Sequence, residues 1–284
     1  MTSNIAQKPR DGPAMAFIPE PVVGDMIRRS TDYYGIVVNA MWPPPDDLLE
    51  PYHKDFLPRI RGCFDDADLP IHDHSNNDAP VYLYPGAYLH VTIATLYPIV
   101  KQEAIKTIEG GSSSSSGSSA DEKNNDGESP DQLQQTIAKH KAQWQNVLQL
   151  ASQHPDWPTQ ALQFEIDSAQ IGSKAGILLW KETTGGVQKM RDCLVATVAT
   201  HASDLRIHSI PNIVHSTFLR FQSVPLSEGA VVQERFKADV LPKLKDIFPK
   251  PITAKWIKMA CEWTPYMHIP DDDHHVYSTV HLEK

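Results

Sequence analysis

The chain has 284 residues, 40% of them hydrophobic and 21% charged, with 23 prolines and a formal net charge of −9. That length and apolar content allow a buried core, and the acidic balance excludes the broad basic face that duplex nucleic acid needs, while leaving room for a small nucleotide or one single-stranded RNA end. No N-terminal apolar run reads as a signal peptide, and no stretch approaches the roughly 20 apolar residues of a membrane span, so a cytoplasmic or nuclear protein with no membrane partner is expected.

Residues 1–30 are polar and Pro-containing and read as a flexible N-terminal tail or an edge wrap. Tyr34-Gly35-Ile36-Val37-Val38 is a short strand, stopped by Pro43-Pro44-Pro45. Leu48 to Cys63 has helical character that Pro51 and Pro58 weaken. Residues 65–80 are rich in Asp, His and Asn and read as a loop. Strand material follows around Leu89–Leu96.

Residues 110–130, GGSSSSSGSSADEKNNDGESP, are of low complexity and cannot bury enough apolar surface to offset their ordering entropy. They are expected as a disordered insertion, which together with residue 131 carries five acids and one base over 121–131. Ser129-Pro130 then starts a helix with Leu133, Ile137, Trp144, Val147 and Leu148 at helical spacing. Gln163–Ser168 and Ala175–Lys181 read as strands, and Val187, Met190, Leu194 and Val198 mark a helix. Ile213–Phe221 is a strand, Val232, Phe236, Val240 and Leu244 mark a helix that Pro242 bends, and Ile252–Trp263 and Val276–Leu282 are strands.

The order strand, helix, His-x-Thr strand, helix, strand occurs twice. The first run uses Ile36, Leu48–Cys63, His90, Leu133–Ala151 and Phe164, the second Ile177, Val187–His201, His215, Ala230–Phe248 and Trp256. This predicts an internally duplicated α+β unit.

Each run carries one chemical motif: Leu89-His90-Val91-Thr92-Ile93 and Val214-His215-Ser216-Thr217-Phe218. On a strand, side chains alternate between faces, so His90 and Thr92 point the same way about 7 Å apart, as do His215 and Thr217. Three of the four interleaved positions (Val91, Ile93, Phe218, but not Ser216) are apolar, which assigns the other face to the core. Two such strands facing each other would gather two imidazoles and two hydroxyls. One neutral imidazole can take a proton, the other when protonated can give one, and the hydroxyls can donate to phosphate oxygens. Histidine suits both roles because its ordinary pKa of about 6.5 supplies both protonation states near neutrality. This chemistry needs no metal and no cofactor.

With its motif pair, Val214-His215-Ser216-Thr217-Phe218-Leu219-Arg220-Phe221 in particular, the chain resembles the two-histidine phosphoesterase superfamily, which includes cyclic phosphodiesterases and RNA 2′,3′-cyclic phosphate and 2′-5′ processing enzymes. The resemblance runs from about residue 33 to 283, insertion excluded. It implies a bilobal α+β domain over residues 31–284, with two antiparallel sheets flanking a central cleft and helices outside. It further implies His90 and His215 as the acid/base pair, Thr92 and Thr217 on phosphate, and hydrolysis of a cyclic or 2′-linked phosphodiester on a small nucleotide or RNA end; a monomer is expected, though the sequence itself does not give the oligomeric state. A non-catalytic nucleotide-binding module on the same fold is the alternative.

Tyr88, two residues before His90, is expected to share its face and to stack on a base or ring. Lys174, Lys181 and Arg220 could supply local positive charge for a phosphate but read rather as solvated surface residues, and alternation turns Arg220 away from the His215 side. His72-Asp73-His74 and Asp271-Asp272-Asp273-His274-His275 lie in probable loops without spaced partner ligands, so no metal site is expected. Cys63, Cys193 and Cys261 fit reduced, buried thiols.

Overall fold

The computed structural model describes residues 15–69, 79–105 and 130–283. The fold is α+β, built on two antiparallel sheets. Nine strands supply them: β1 (Tyr33–Ala40), β2 (Val81–Leu83), β3 (Val91–Lys101), β4 (Leu162–Ile171), β5 (Ala175–Glu182), β6 (His215–Phe221), β7 (Ile252–Ala254), β8 (Trp256–Cys261) and β9 (Val276–His281). The first sheet has the order β3-β1-β8-β9, the second β2-β6-β5-β4-β7.

These orders carry the expected duplication, with an exchange. In the first sheet, β3 and β1 come from the first run and β8 from the second; in the second sheet, β6 and β5 come from the second run and β4 from the first. Each half therefore completes the other's sheet. The expected strand Ile252–Trp263 accordingly breaks at Lys255: β7 pairs with β4 in the second sheet, and β8 pairs with β1 in the first.

Helices cross over in the same way. α5 (Gly186–His201) follows a strand of the second sheet, yet its Arg191 donates to backbone carbonyls of β3 in the first. The segment expected as a helix over Leu48–Cys63 runs from α2 (Asp46–Pro51) through one widened π turn, Tyr52–Phe56, into α3 (Leu57–Arg61). It packs on the second sheet, where the Phe56 and Phe218 rings meet edge to face at 5.0 Å. The two prolines are absorbed because Pro51 ends one segment and Pro58 opens the next, where a missing N–H costs least. The segment near Pro242 bends likewise: α6 (Gly229–Arg235) passes through a π turn and a 3₁₀ turn before α7 (Leu244–Ile247). α4 (Pro130–Ser152) packs against α5 and buries Trp144, Val147 and Leu148.

From Met15 onward, the N-terminal stretch is an edge wrap and not a flexible tail. Phe17 is buried with its ring 4.5 Å from that of Phe221, Ile18 N–H donates to Ser173 O, and α1 (Val22–Ile27) buries Val23 and Met26. Apolar residues hidden in a polar sequence account for the difference. The disordered insertion expected at 110–130 lies outside the described residues, apart from Pro130 opening α4, as does His72-Asp73-His74. No helix among the described residues is long and apolar enough to cross a membrane. The three cysteines are free and buried, and burial pushes the Cys63 thiol up to about 11 and that of Cys261 up to about 12.

Candidate active site

A cavity of about 170 Å3 opens between the sheets, and His90, Thr92, His215 and Thr217 all line it. β3 delivers the first pair and β6 the second. On β3, Val91 and Ile93 are fully buried while Thr92 is half-buried, the alternation expected of a strand with a core face and a cleft face. On β6, Ser216 occupies the core face although it is polar. Its hydroxyl accepts from the Trp180 indole N–H at 3.0 Å, which satisfies both buried groups.

His90 stands just before β3, at the exit of a 3₁₀ turn over Gly86–Tyr88. Its Nδ1 lies 2.9 Å from the Tyr88 carbonyl oxygen. Since a carbonyl only accepts, Nδ1 carries the proton, and the neutral ring keeps its lone pair on Nε2. Burial pushes the His90 pKa down to about 4, opposed by the Tyr88 bond and assisted by the neighbouring His215 and Arg220 charges. Burial also lowers His215, with Arg220 and Arg191 adding to the effect. A bound phosphodiester, being an anion, would act against the depression in both rings.

The same 3₁₀ turn takes Tyr88 off the face of His90. Period-two alternation does not hold through it, and the Tyr88 ring stacks on His268 at 4.1 Å in a neighbouring cavity, away from the one lined by His90.

Arg220 corrects a second expectation. It lines the histidine cavity. The pairing of β5 with β6 steps from Gly176↔Leu219 to Ile177↔Thr217, leaving Phe218 as an extra residue. Phe218 and Leu219 are consequently both buried, and the bulge turns Arg220 back to the face of Thr217. There the guanidinium forms an ion pair with Glu20, donates through Nε to the Tyr84 hydroxyl at 3.2 Å, and lies 3.8 Å from the Tyr266 ring centre. Tyr266 in turn donates its hydroxyl to Glu20 at 3.0 Å. These partners raise the Arg220 pKa, so it stays charged.

Sequence reasoning also missed Glu262. It follows β8, is 5% exposed and lines the cavity. One carboxylate oxygen accepts the Met267 N–H at 2.8 Å. That bond ties down a turn in which Tyr266 and Met267 adopt φ of 58° and 63°, a left-handed pair that costs non-glycine residues energy and is typical of functional sites. Burial pushes the Glu262 carboxyl up to about 7. A carboxylate just beyond a strand carries no sequence signal of this kind; only the sheet exchange brings it to the cleft.

Among the described residues, no group of three His, Cys, Asp or Glu side chains converges as metal ligands would. In the acidic loop, Asp272 holds the His275 ring at 2.7 Å, Asp271 pairs with Lys258, and His274 stacks on Trp263. Lys174 and Lys181 do not line the cavity.

The site thus presents two imidazoles, two hydroxyls and one fixed guanidinium between two sheets. Solved structures align with the chain over most of its length. A phosphoesterase shares 10% identity, with 88% of this chain and 99% of its own covered, at a TM-score of 0.45. E. coli LigT complexed with 3′-AMP shares 12%, with 89% and 99% covered, at 0.42. A conserved protein of unknown function from Agrobacterium tumefaciens shares 13%, with 87% of each chain covered, at 0.45. No protein-family model matches the chain, and no curated protein matches it.

Proposed function

We propose that this protein is a two-histidine phosphoesterase that hydrolyses a cyclic or 2′-linked phosphodiester of a small nucleotide or RNA end, without a metal. The observation that carries this is the meeting of both His-x-Thr motifs in one cavity. His90 is the general base: its Nδ1–H is committed to Tyr88, so Nε2 is the nitrogen that takes a proton from the attacking water. As the water oxygen bonds to phosphorus, the bond to the departing 2′ or 3′ oxygen breaks, and protonated His215 supplies the proton that oxygen needs. Thr92 and Thr217 donate hydrogen bonds to the non-bridging oxygens, and Arg220 supplies positive charge. The product is a phosphomonoester.

Hydrolysis of adenosine 2′,3′-cyclic phosphate, ADP-ribose 1″,2″-cyclic phosphate and 2′-5′-linked dinucleotides by the purified protein tests this. Replacing His90 or His215 by Ala lowers turnover by about 10²–10⁴-fold. The pH dependence of kcat/KM is bell-shaped and survives chelator. Its acid limb falls below the ordinary histidine value, because His90 in the free protein resists protonation down to about pH 4. Near-normal turnover by both single variants would end the proposal. Tight nucleotide binding with no turnover across the panel would favour the binding module.

A further inference from the structure

Glu262 lines the histidine cavity without a task in the proposed reaction. Its side chain is fixed at one end only. Oε1 accepts the Met267 N–H at 2.8 Å, while Oε2 has no hydrogen-bond partner among the described residues. The residue is 5% exposed, so bulk water does not surround the carboxyl, and the second oxygen is left to the cavity. A polar atom held in this way is costly until something with matching hydrogen-bonding capacity fills the space beside it.

The charges around the cavity decide in which form the carboxyl can meet a ligand. His215 and Arg220 come from β6, His90 from the start of β3, Tyr84 from the residue after β2 and Tyr266 from the turn after β8. Glu20 of the N-terminal stretch reaches the site through Arg220 and Tyr266. β1 presents Val37, which carries no charge. Arg220 and Glu20 cancel each other. Both imidazoles lean toward neutrality, and burial keeps the Tyr84 and Tyr266 phenols and the adjacent Cys261 thiol uncharged. Arg191 stands behind the wall with its donors committed to backbone carbonyls. An ionised Glu262 would therefore make the lining of an anion site net negative. A protonated Glu262 removes that obstacle and offers an O–H to an anionic oxygen, a strong kind of hydrogen bond. Burial already favours the protonated form, pushing the carboxyl up to about 7, and an anion close by raises it further.

We infer that Glu262 is a phosphate-binding residue that works as an acid: it takes a proton from solvent as the anion enters and donates Oε2–H to a non-bridging phosphate oxygen. The position of the phosphate rests on the proposed function. The added donor, and the proton it brings, go beyond the two His-x-Thr motifs, and they make anion binding depend on pH above neutrality.

Calorimetric titration of adenosine 2′-monophosphate into the full chain tests this without requiring turnover. Between pH 7.5 and 9 the ligand's own second ionisation, near about 6, is complete, so any pH dependence belongs to the protein. Wild-type affinity is expected to weaken by about 20-fold over that interval as the free carboxyl ionises. In Glu262→Gln the amide oxygen keeps the Met267 N–H, and the NH2 donates without titrating, so affinity stays nearly flat. At pH 8, in two buffers of different ionisation enthalpy, the wild type takes up about one proton per ligand more than the variant. Equal pH slopes in the two proteins overturn the inference. So does a wild type that binds without taking up a proton at pH 8, a result that needs no variant, and so does a wild type that does not bind the nucleotide at pH 7.5. Failure to hydrolyse any phosphodiester sinks the hydrolase proposal and leaves this measurement standing.

Discussion

Glu262 and His90 both sit where burial disfavours charge, yet they tie stability to pH with opposite signs. The Glu262 carboxyl is raised from 4.5 to about 7 in the folded chain, so the fold favours its protonated form. That contribution is complete below pH 4.5 and is lost as pH rises through 7. The His90 ring is lowered from 6.5 to about 4, so its contribution is complete above pH 6.5 and is lost as pH falls through 4. Between 4.5 and 6.5 the two oppose each other. Glu262→Gln isolates the carboxyl, because the amide oxygen can still accept the Met267 N–H. Urea unfolding at pH 5 and pH 8 will show the variant gaining on the wild type at the higher pH, by at most on the order of 3 kcal/mol. A pH-independent difference would contradict the assigned shift. At this scale the motif residues were legible, since spacing alone put His and Thr on one face. Arg220 and Glu262 were not, one because a bulge resets alternation and the other because its neighbours come from distant segments.

Elements were more legible than the way they join. The helix starting at Pro130 and the strands around Phe164, Ile177 and His215 follow from apolar spacing, and the structure has them close to the expected bounds. The division of residues 252–261 between two sheets leaves no trace in the hydrophobic pattern, because both pieces are buried strands. The bulge on β6 was also hidden, though the glycine opposite it can now be understood. A Cβ on Gly176 would stand 2.6 Å from the Phe218 ring and 3.1 Å from Leu219 Cβ. Phe218 is fully buried and braced by Phe56, so it has little room to retreat. Gly176→Ala is expected to destabilise the protein by about 1–3 kcal/mol through overpacking, read from its urea midpoint. It will also lower nucleotide affinity, because the bulge aims Arg220. A neutral substitution would show that the bulge tolerates repacking.

In the whole molecule, the exchange of β4 and β8 gives each sheet a strand from the other half. We propose that residues 31–284 therefore act as one unit, since neither half can complete its own sheet. The order of elements disclosed the duplication, but pairing across halves is a long-range property that local pattern does not encode. One contact spans the join directly. Buried Arg191 on α5 donates to the carbonyls of Ile93 at 3.1 Å and Thr92 at 3.3 Å, and to that of Ile213 at 3.2 Å, two residues before His215. Arg191→Lys loses the fork that reaches three acceptors. On a confirmed substrate it is expected to lower kcat several-fold or more with little change in KM, and wild-type kcat would refute the role.

On the proposed function, the Arg191 guanidinium behind the cavity wall would work as a calliper, gauging how far apart the two imidazoles stand. Fitness in this chain would then be sensitive at a position no ligand ever meets, and a mutational survey restricted to the mouth of the cleft would overlook it.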